Sequence, residues 1–370
     1  MKLAMRELWR RPGRFIAATA VLTALALLLM FLGSLLDGLL ASTTGAYRAQ
    51  RADAIVYSAG SGESLVRSRI DPGLRAEVEA VPGVQRTGGL GSVQLGARPA
   101  EQPDRRELIA TALIGYELAP AGLPDAPPGP GQAIADDTVK DDGVSEGDTL
   151  LLGPARTPIE IVGFVSDTQY SGQATLWASL DTWRAVTAEN RPALAFADGS
   201  VQALVVTTDD PTGAAAAIDG ATGDATSSLG LAEAIDALPG VSQQRSTFNQ
   251  IIGATVVVAM VVVALFFTLI TVERTSLYGV LKAIGASTTA LFVGVAAQAV
   301  VLAVLSSLLG VVATLAVAAV IPPGSIPFQV GPGRLVTSGG FMLAAAVLGS
   351  VFSLRRVLRI DPAAAIGAAS

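Results

Sequence analysis

The 370-residue sequence has no cysteine and no histidine. Their absence removes disulfides, thiolate and imidazole metal ligands, cysteine nucleophiles and every catalytic triad that uses His as its base. Lysine is scarce as well: Lys2, Lys140 and Lys282 follow Met1, Val139 and Leu281. A phosphate-binding P-loop needs Gly-Lys-Ser/Thr, so the sequence has no Walker A site and is not expected to hydrolyse ATP unaided. Gly143-Val-Ser145-Glu-Gly147 fits the G-x-S-x-G pattern, but without His nothing activates Ser145, and its acidic setting suits a surface turn. The Asp pairs at 136–137, 141–142 and 209–210 are read as solvated turn carboxylates rather than ligands for a hard cation. No catalytic site, resident metal, cofactor or nucleic-acid partner is expected.

Charged residues are few too, at 15% against 51% hydrophobic, and with a mean hydropathy of +0.53 the excess apolar surface needs lipid. The net charge of −6 is unevenly spread: residues 37–245 hold 14 Lys+Arg against 28 Asp+Glu, and the remainder hold 11 against 3. The positive-inside rule therefore puts the flanks in the cytoplasm and the acidic middle outside. Residues 1–14, with Leu3, Leu8 and Trp9, read as a basic amphipathic cytoplasmic segment. Residues 15–36 are uncharged, and as a helix at about 1.5 Å per residue they cross a hydrocarbon core of about 30 Å. The run exceeds the roughly 7–15 residues of a signal-peptide core, so a retained first span is expected. Further spans are expected at 246–272, 288–320 and 335–354. Pro322-Pro323 breaks the third from the fourth, leaving an external loop at 321–334, and Arg355-Arg356 opens a cytoplasmic tail at 355–370. Small residues at helical spacing, Ala20/Ala24, Gly340/Ala344 and Ala345/Gly349, are read as helix packing.

Residues 37–245 change texture to Gly, Pro and Asp punctuation between short β-rich runs. The expected fold class is therefore membrane α-helical, with four transmembrane helices, and an α+β extracytoplasmic domain inserted between the first and second spans. Strands are expected at 54–57, 92–95, 107–116, 149–152, 160–165, 175–178 and 201–207, and helices at 72–80, 136–142, 180–188 and 229–238. Residues 118–131, with five prolines, read as an extended surface loop. The echo between Glu77-Val-Glu-Ala-Val-Pro-Gly-Val84 and Ala234-Ile-Asp-Ala-Leu-Pro-Gly-Val241 suggests a duplicated helix-to-strand unit.

Between the second and third spans lies a charged island, residues 273–287. Leu277, Val280, Leu281 and Ile284 fall on one helical face, and Arg274, Tyr278 and Lys282 form an adjacent ridge. Gly285 can close the helix and Ser287 can cap the next. A short amphipathic helix here is either an interfacial turn or a docking surface. The stretch Glu273-Arg274, followed by Tyr278-Gly279-Val280-Leu281-Lys282-Ala283-Ile284-Gly285, resembles the coupling segment of FtsX-like, MacB-type ABC-transporter permeases. The order of spans, the basic start, the strand pair 143–152 and 159–167 and the ending Arg355-Arg-Val-Leu-Arg-Ile-Asp-Pro362 are similar to the same family.

The resemblance implies a multi-pass subunit of a bacterial plasma membrane with both termini inside. Its partners would be a cytoplasmic ABC ATPase, which carries ATP-Mg and docks at Glu273, Arg274, Leu277, Tyr278, Gly279, Leu281, Lys282, Ile284 and Gly285, and a second permease copy, a homodimer being expected. The implied function is extrusion of a hydrophobic substrate; the alternative is a non-transporting transmitter that relays ATPase motion to an external cell-wall enzyme. Runs at 112–117, 167–177 and 244–249 look most similar to HrtB-type haem-efflux permeases, which makes haem the lead cargo. Without His or Cys, an axial ligand would have to be Tyr phenolate, Met or carboxylate, and Tyr47, Tyr170, Met30 and Asp37 are the candidates.

Overall fold

A computed structural model of the chain describes residues 12–273, 280, 284, 287–322 and 326–358. In chain order its elements are α1 (Pro12–Arg48), β1 (Ala54–Ser58), α2 (Pro72–Glu79), β2 (Val84–Pro99), β3 (Ile109–Tyr116), β4 (Gln132–Asp136), a 3-10 turn (Asp137–Asp142), β5 (Thr149–Leu152) and β6 (Thr157–Val165). There follow β7 (Ala174–Ser179), α3 (Leu180–Asn190), β8 (Ala203–Thr208), α4 (Ala214–Ala221), β9 (Thr226–Gly230), α5 (Leu231–Ala237), α6 (Val241–Glu273), α7 (Thr288–Val320) and α8 (Pro332–Leu358). The chain forms two compact units, one from the two ends of the sequence up to Gly38 and from Arg245, the other spanning Leu39–Gln244.

In the first unit, α1, α6, α7 and α8 are each long and apolar enough to cross a membrane. Each buries one stripe: Phe15, Leu22 and Ala26 of α1, Val263 and Phe267 of α6, Ala299 and Leu302 of α7, and Met342 and Ala345 of α8 meet in a common core. Only 28–33% of each apolar window is buried, while Leu265, Val312 and Val336 are 65–74% exposed. An outward apolar surface of that extent requires lipid, and the chain is an integral membrane protein. Of the small-residue pairs, Ala345 and Gly349 pack inward, where a Cβ on Gly349 would fall 2.6 Å from the Met260 carbonyl oxygen of α6. The pairs Ala20/Ala24 and Gly340/Ala344 are exposed, so they do not serve packing within this chain.

The helix bounds differ from the apolar runs. α1 continues past residue 36 to Arg48, because Ser42, Thr43 and Thr44 turn their hydroxyls back onto the Leu39 and Leu40 carbonyls at 2.7–3.0 Å, which lets polar residues continue the helix. The expected domain start at residue 37 thus falls inside a helix, and α6 begins at Val241 rather than 246.

The second unit is built on a nine-stranded mixed sheet in the order β3-β7-β4-β6-β5-β2-β8-β1-β9, with a further β2–β3 pairing. That pairing closes β2, β3, β7, β4, β6 and β5 into a ring. β2 makes this possible by its length: Val84–Leu90 pairs with β8, Leu90–Ala97 with β3 and Ala97–Pro99 with β5. Side-chain alternation feeds two cores, with Val56, Leu204, Val206 and Leu113 in one and Ile55, Tyr57, Val205 and Ile114 in the other. Strands buried on both faces read as continuous apolar runs, which is why most of them were visible in the sequence.

Three elements were not expected: β4, β9 and α4. The helix expected at 136–142 is instead the end of β4 followed by the 3-10 turn, with Asp136 as its N-cap. The repeat is also overturned. Val84 enters a strand but Val241 enters helix α6, so Pro-Gly stops the helix in both places without duplicating a unit. Between Tyr116 and Gln132 the chain has no helix or strand, but it is not a loose loop: Leu123 is buried and Tyr116 donates to the Pro124 carbonyl at 3.1 Å.

Candidate functional site

The candidate coupling segment begins where α6 ends at Glu273 and stops at the start of α7 at Thr288. Arg274, Leu277, Tyr278, Gly279, Leu281, Lys282 and Gly285 lie outside the described residues. Val280 and Ile284 are described and are joined by a helical backbone bond, Ile284 N donating to Val280 O at 3.0 Å. Both side chains are exposed, Ile284 by 78%.

Also in the first unit, residues 327–329, just ahead of α8, lie along α1. Phe328 meets Phe31 with ring centroids 5.1 Å apart, and Gln329 N donates to Ser34 O at 3.1 Å. Arg334 donates through Nε to Asp37 Oδ2 at 2.8 Å and through Nη2 to Asp37 Oδ1. Two glycines make room: a Cβ on Gly33 would strike the Arg334 side chain, and one on Gly38 would strike the Pro327 carbonyl. Asp37 is therefore occupied by a cation, and Met30 is buried at 1% exposure. Arg334 was not singled out as a site residue, although a lone charge in a run otherwise uncharged from Lys282 to Arg355 is a signal of function or pairing.

In the second unit Tyr47 and Tyr170 come together. Their rings stack at 6.0 Å with planes 8° apart, and the Tyr47 hydroxyl shares a 2.9 Å hydrogen bond with that of Tyr57. The segment carrying Tyr170 is bonded to the last turns of α1: Ala46 N donates to Gln169 O, Ser171 N to Thr43 O and Gly172 N to Ser42 O, at 2.9–3.0 Å. All three tyrosines are buried. Burial raises the Tyr170 hydroxyl to about 12, and it raises Tyr57 as well, so these groups are neutral phenols rather than ready phenolates. Tyr57 carries no sequence signal beyond its place in a β-rich run.

The Asp pairs have protein partners. Asp136 is fully buried and accepts from Thr138 N and Oγ1 on one oxygen and from Thr168 N and Oγ1 on the other, at 2.6–3.2 Å. Asp137 accepts from Ser166, Asp142 pairs with Arg105, and Asp210 caps Thr212 N. Ser145 sits in an exposed turn, its N–H donating to Asp148.

Residues 249–362, from within α6 to beyond α8, match the family model described as FtsX-like permease C-terminal. The match takes in under a third of the chain. Over 111 residues the chain is 35% identical to the uncharacterized ABC transporter permease Rv2563 of Mycobacterium tuberculosis, covering 30% of this chain and 31% of that protein. It is 24% identical over 124 residues to the putative hemin transport system permease protein HrtB of Staphylococcus epidermidis, covering 34% and 35%. The chain thus covers about a third of the length of these curated relatives. The periplasmic region of MacB from Actinobacillus actinomycetemcomitans aligns with a TM-score of 0.34 and 10% identity over 50% of this chain and 92% of that structure. The residues matched by the family model lie across the last three of the four candidate spans, α6, α7 and α8.

Proposed function

We propose that this chain is the membrane subunit of an FtsX/MacB-type ABC exporter, moved by an ATPase on a separate chain. The observation that carries the reading is the matched permease domain, set in a unit of four membrane-length helices with a folded domain of some 200 residues inserted after the first. The lack of Gly-Lys-Ser/Thr in this sequence supports the reading that hydrolysis belongs to a partner. In this reading the island 273–287 is the docking surface, with exposed Ile284 entering an apolar groove and Arg274 and Lys282 meeting its rim. Both termini lie inside, and two permease copies assemble with two ATPases.

The substrate in this reading is hydrophobic, and haem is the first candidate because relatives carry the hemin-transport name. Ligation by Tyr47 or Tyr170 requires the stacked pair to open and a buried phenol to ionise, so iron binding would be coupled to movement of the segment around Tyr170. The test is the chain purified with its ATPase. Haemin should stimulate hydrolysis and give a saturable Soret shift that Tyr170→Phe weakens. ATPase that no hydrophobic ligand alters would instead favour the transmitter reading, in which motion is passed to an external enzyme.

A further inference from the structure

In the second unit, β2, the carboxyl end of α3, residues 66–69 and residues 194–202 border a small, partly open cavity of about 70 Å³, whose two arginines are solvent-exposed. Its lining contains two arginines, Arg69 and Arg191, and no Asp or Glu, within a stretch where residues 37–245 hold twice as many acids as bases. Neither arginine makes an ion pair among the described residues, whereas Arg75, Arg105 and Arg184 all do. Each is instead held by a backbone carbonyl. Arg69 Nη1 donates to Ala195 O at 3.1 Å with its guanidinium 4.3 Å over the Phe196 ring, and Arg191 Nη2 donates to Gln94 O at 2.9 Å. A guanidinium has five N–H donors, so each keeps several to spare.

Two buried polar groups in the same lining also have free hydrogen-bonding capacity. Thr187 is 2% exposed and its hydroxyl has no hydrogen-bond partner. Gln202 is 5% exposed and its amide oxygen accepts from Ser92 N at 2.6 Å, which leaves its amide nitrogen as the free end. Four donor side chains therefore line a cavity that offers no anionic side chain.

We propose that this cavity is an oxyanion subsite that takes the carboxylate or phosphate group of an extracytoplasmic ligand. Planar guanidinium forks match the two or three oxygens of such groups, and the Phe196 ring keeps the Arg69 fork in place. The volume admits the charged group alone, so a lipid tail or a porphyrin would remain outside. The site stands independently of whether the chain transports.

The test is calorimetric titration of the full chain in neutral detergent with sodium phosphate and, separately, sodium acetate, at low and constant ionic strength. Saturable binding of at least one is expected, weakened tenfold or more by Arg69→Gln or Arg191→Gln and several-fold by Thr187→Val. Arg69→Lys, which keeps the charge but loses the fork, should fall between wild type and Arg69→Gln. Arg86→Gln, at an arginine equally exposed but outside the cavity lining, should bind as wild type. Preference for phosphate points to a phosphorylated ligand such as a headgroup, and preference for acetate to a carboxylate. Absence of saturable binding for both anions overturns the proposal. So does equal weakening by Arg86→Gln, which would mark diffuse attraction by surface charge. If Arg69→Gln loses its cooperative thermal transition, Arg191→Gln and Thr187→Val decide the matter alone.

Discussion

Arg334 holds Asp37 with two nitrogens directly beside Gly33, joining the start of α8 to α1. Both side chains are less than a third exposed, so the pair is partly shielded from water and gains more than a surface ion pair would. Asp37→Asn or Arg334→Gln should each lower stability by about 1–3 kcal/mol. In a double-mutant cycle on thermal unfolding in detergent, a coupling below about 0.5 kcal/mol would refute a direct interaction.

Gly38 and Gly33 should differ in their tolerance of a methyl group. At Gly33 the neighbour is a long side chain that can move, but at Gly38 it is the backbone carbonyl of Pro327. Gly38→Ala is expected to cost about 1–3 kcal/mol and Gly33→Ala less, because overpacking against backbone forces the chain apart. Equal unfolding midpoints for the two variants would show that the connection between α7 and α8 yields freely.

Asp136 satisfies both carboxylate oxygens with four donors inside the second unit. Asp136→Ala strands the Thr168 N–H, leaves the Thr168 hydroxyl only its 2.8 Å bond to the Thr175 hydroxyl, and removes the cap of the 3-10 turn, at a cost of about 3 kcal/mol. Asp136→Asn keeps one acceptor and should cost less. Denaturant midpoints that rank the two variants the other way would contradict this account.

Tyr170 sets an alkaline limit. Its hydroxyl is raised by burial from 10 to about 12, so the folded state retains a proton that the unfolded state gives up. The stabilisation is fully present below pH 10 and disappears as the pH rises toward 12. Unfolding midpoints should fall across that window, and Tyr170→Phe should flatten the fall, though Tyr57 and Tyr116 are shifted the same way.

Ile284 is exposed apolar surface with a proposed purpose. Ile284→Asp should leave the permease folded and expressed while its ATPase no longer responds to it. Topology can be read in the same background: a cysteine at Ala126 should react with an impermeant reagent in intact cells and one at Ala283 should not. Labelling at Ala283 would remove the docking surface from the cytoplasm.

Much of the architecture was legible from local chemistry. The four apolar runs, the charge split and strands such as those expected at 107–116 and 175–178 announce themselves because lipid and two-sided burial both demand continuous hydrophobic sequence. β9, Thr-Ser-Ser-Leu-Gly, does not, since its strand state comes from pairing with Ala54–Ser58 of β1 across some 170 residues of chain. α4 carries no local signal because Ala-Ala-Ala-Ala-Ile-Asp-Gly-Ala has no capping side chain and only one large apolar residue. Around the candidate sites, Tyr47 and Tyr170 were named as single residues, while their stacking and the bond to Tyr57 belong to the fold.

The sequence alone determined that the chain enters a membrane, that an acidic domain interrupts its spans, and that neither P-loop nor histidine chemistry is available, because residue type and length suffice for those conclusions. Tertiary structure decided which polar groups are spoken for. Asp37 and Asp136 look alike as isolated acids, yet one is clasped by an arginine 297 positions away and the other by threonines 2 and 32 positions away. Arg69 and Arg191 converge on one cavity without a counter-charge. Such pairings depend on which strands and helices become neighbours, and long-range neighbours are set by the register and closure of the sheet and the packing of the helices, not by any local pattern of residues.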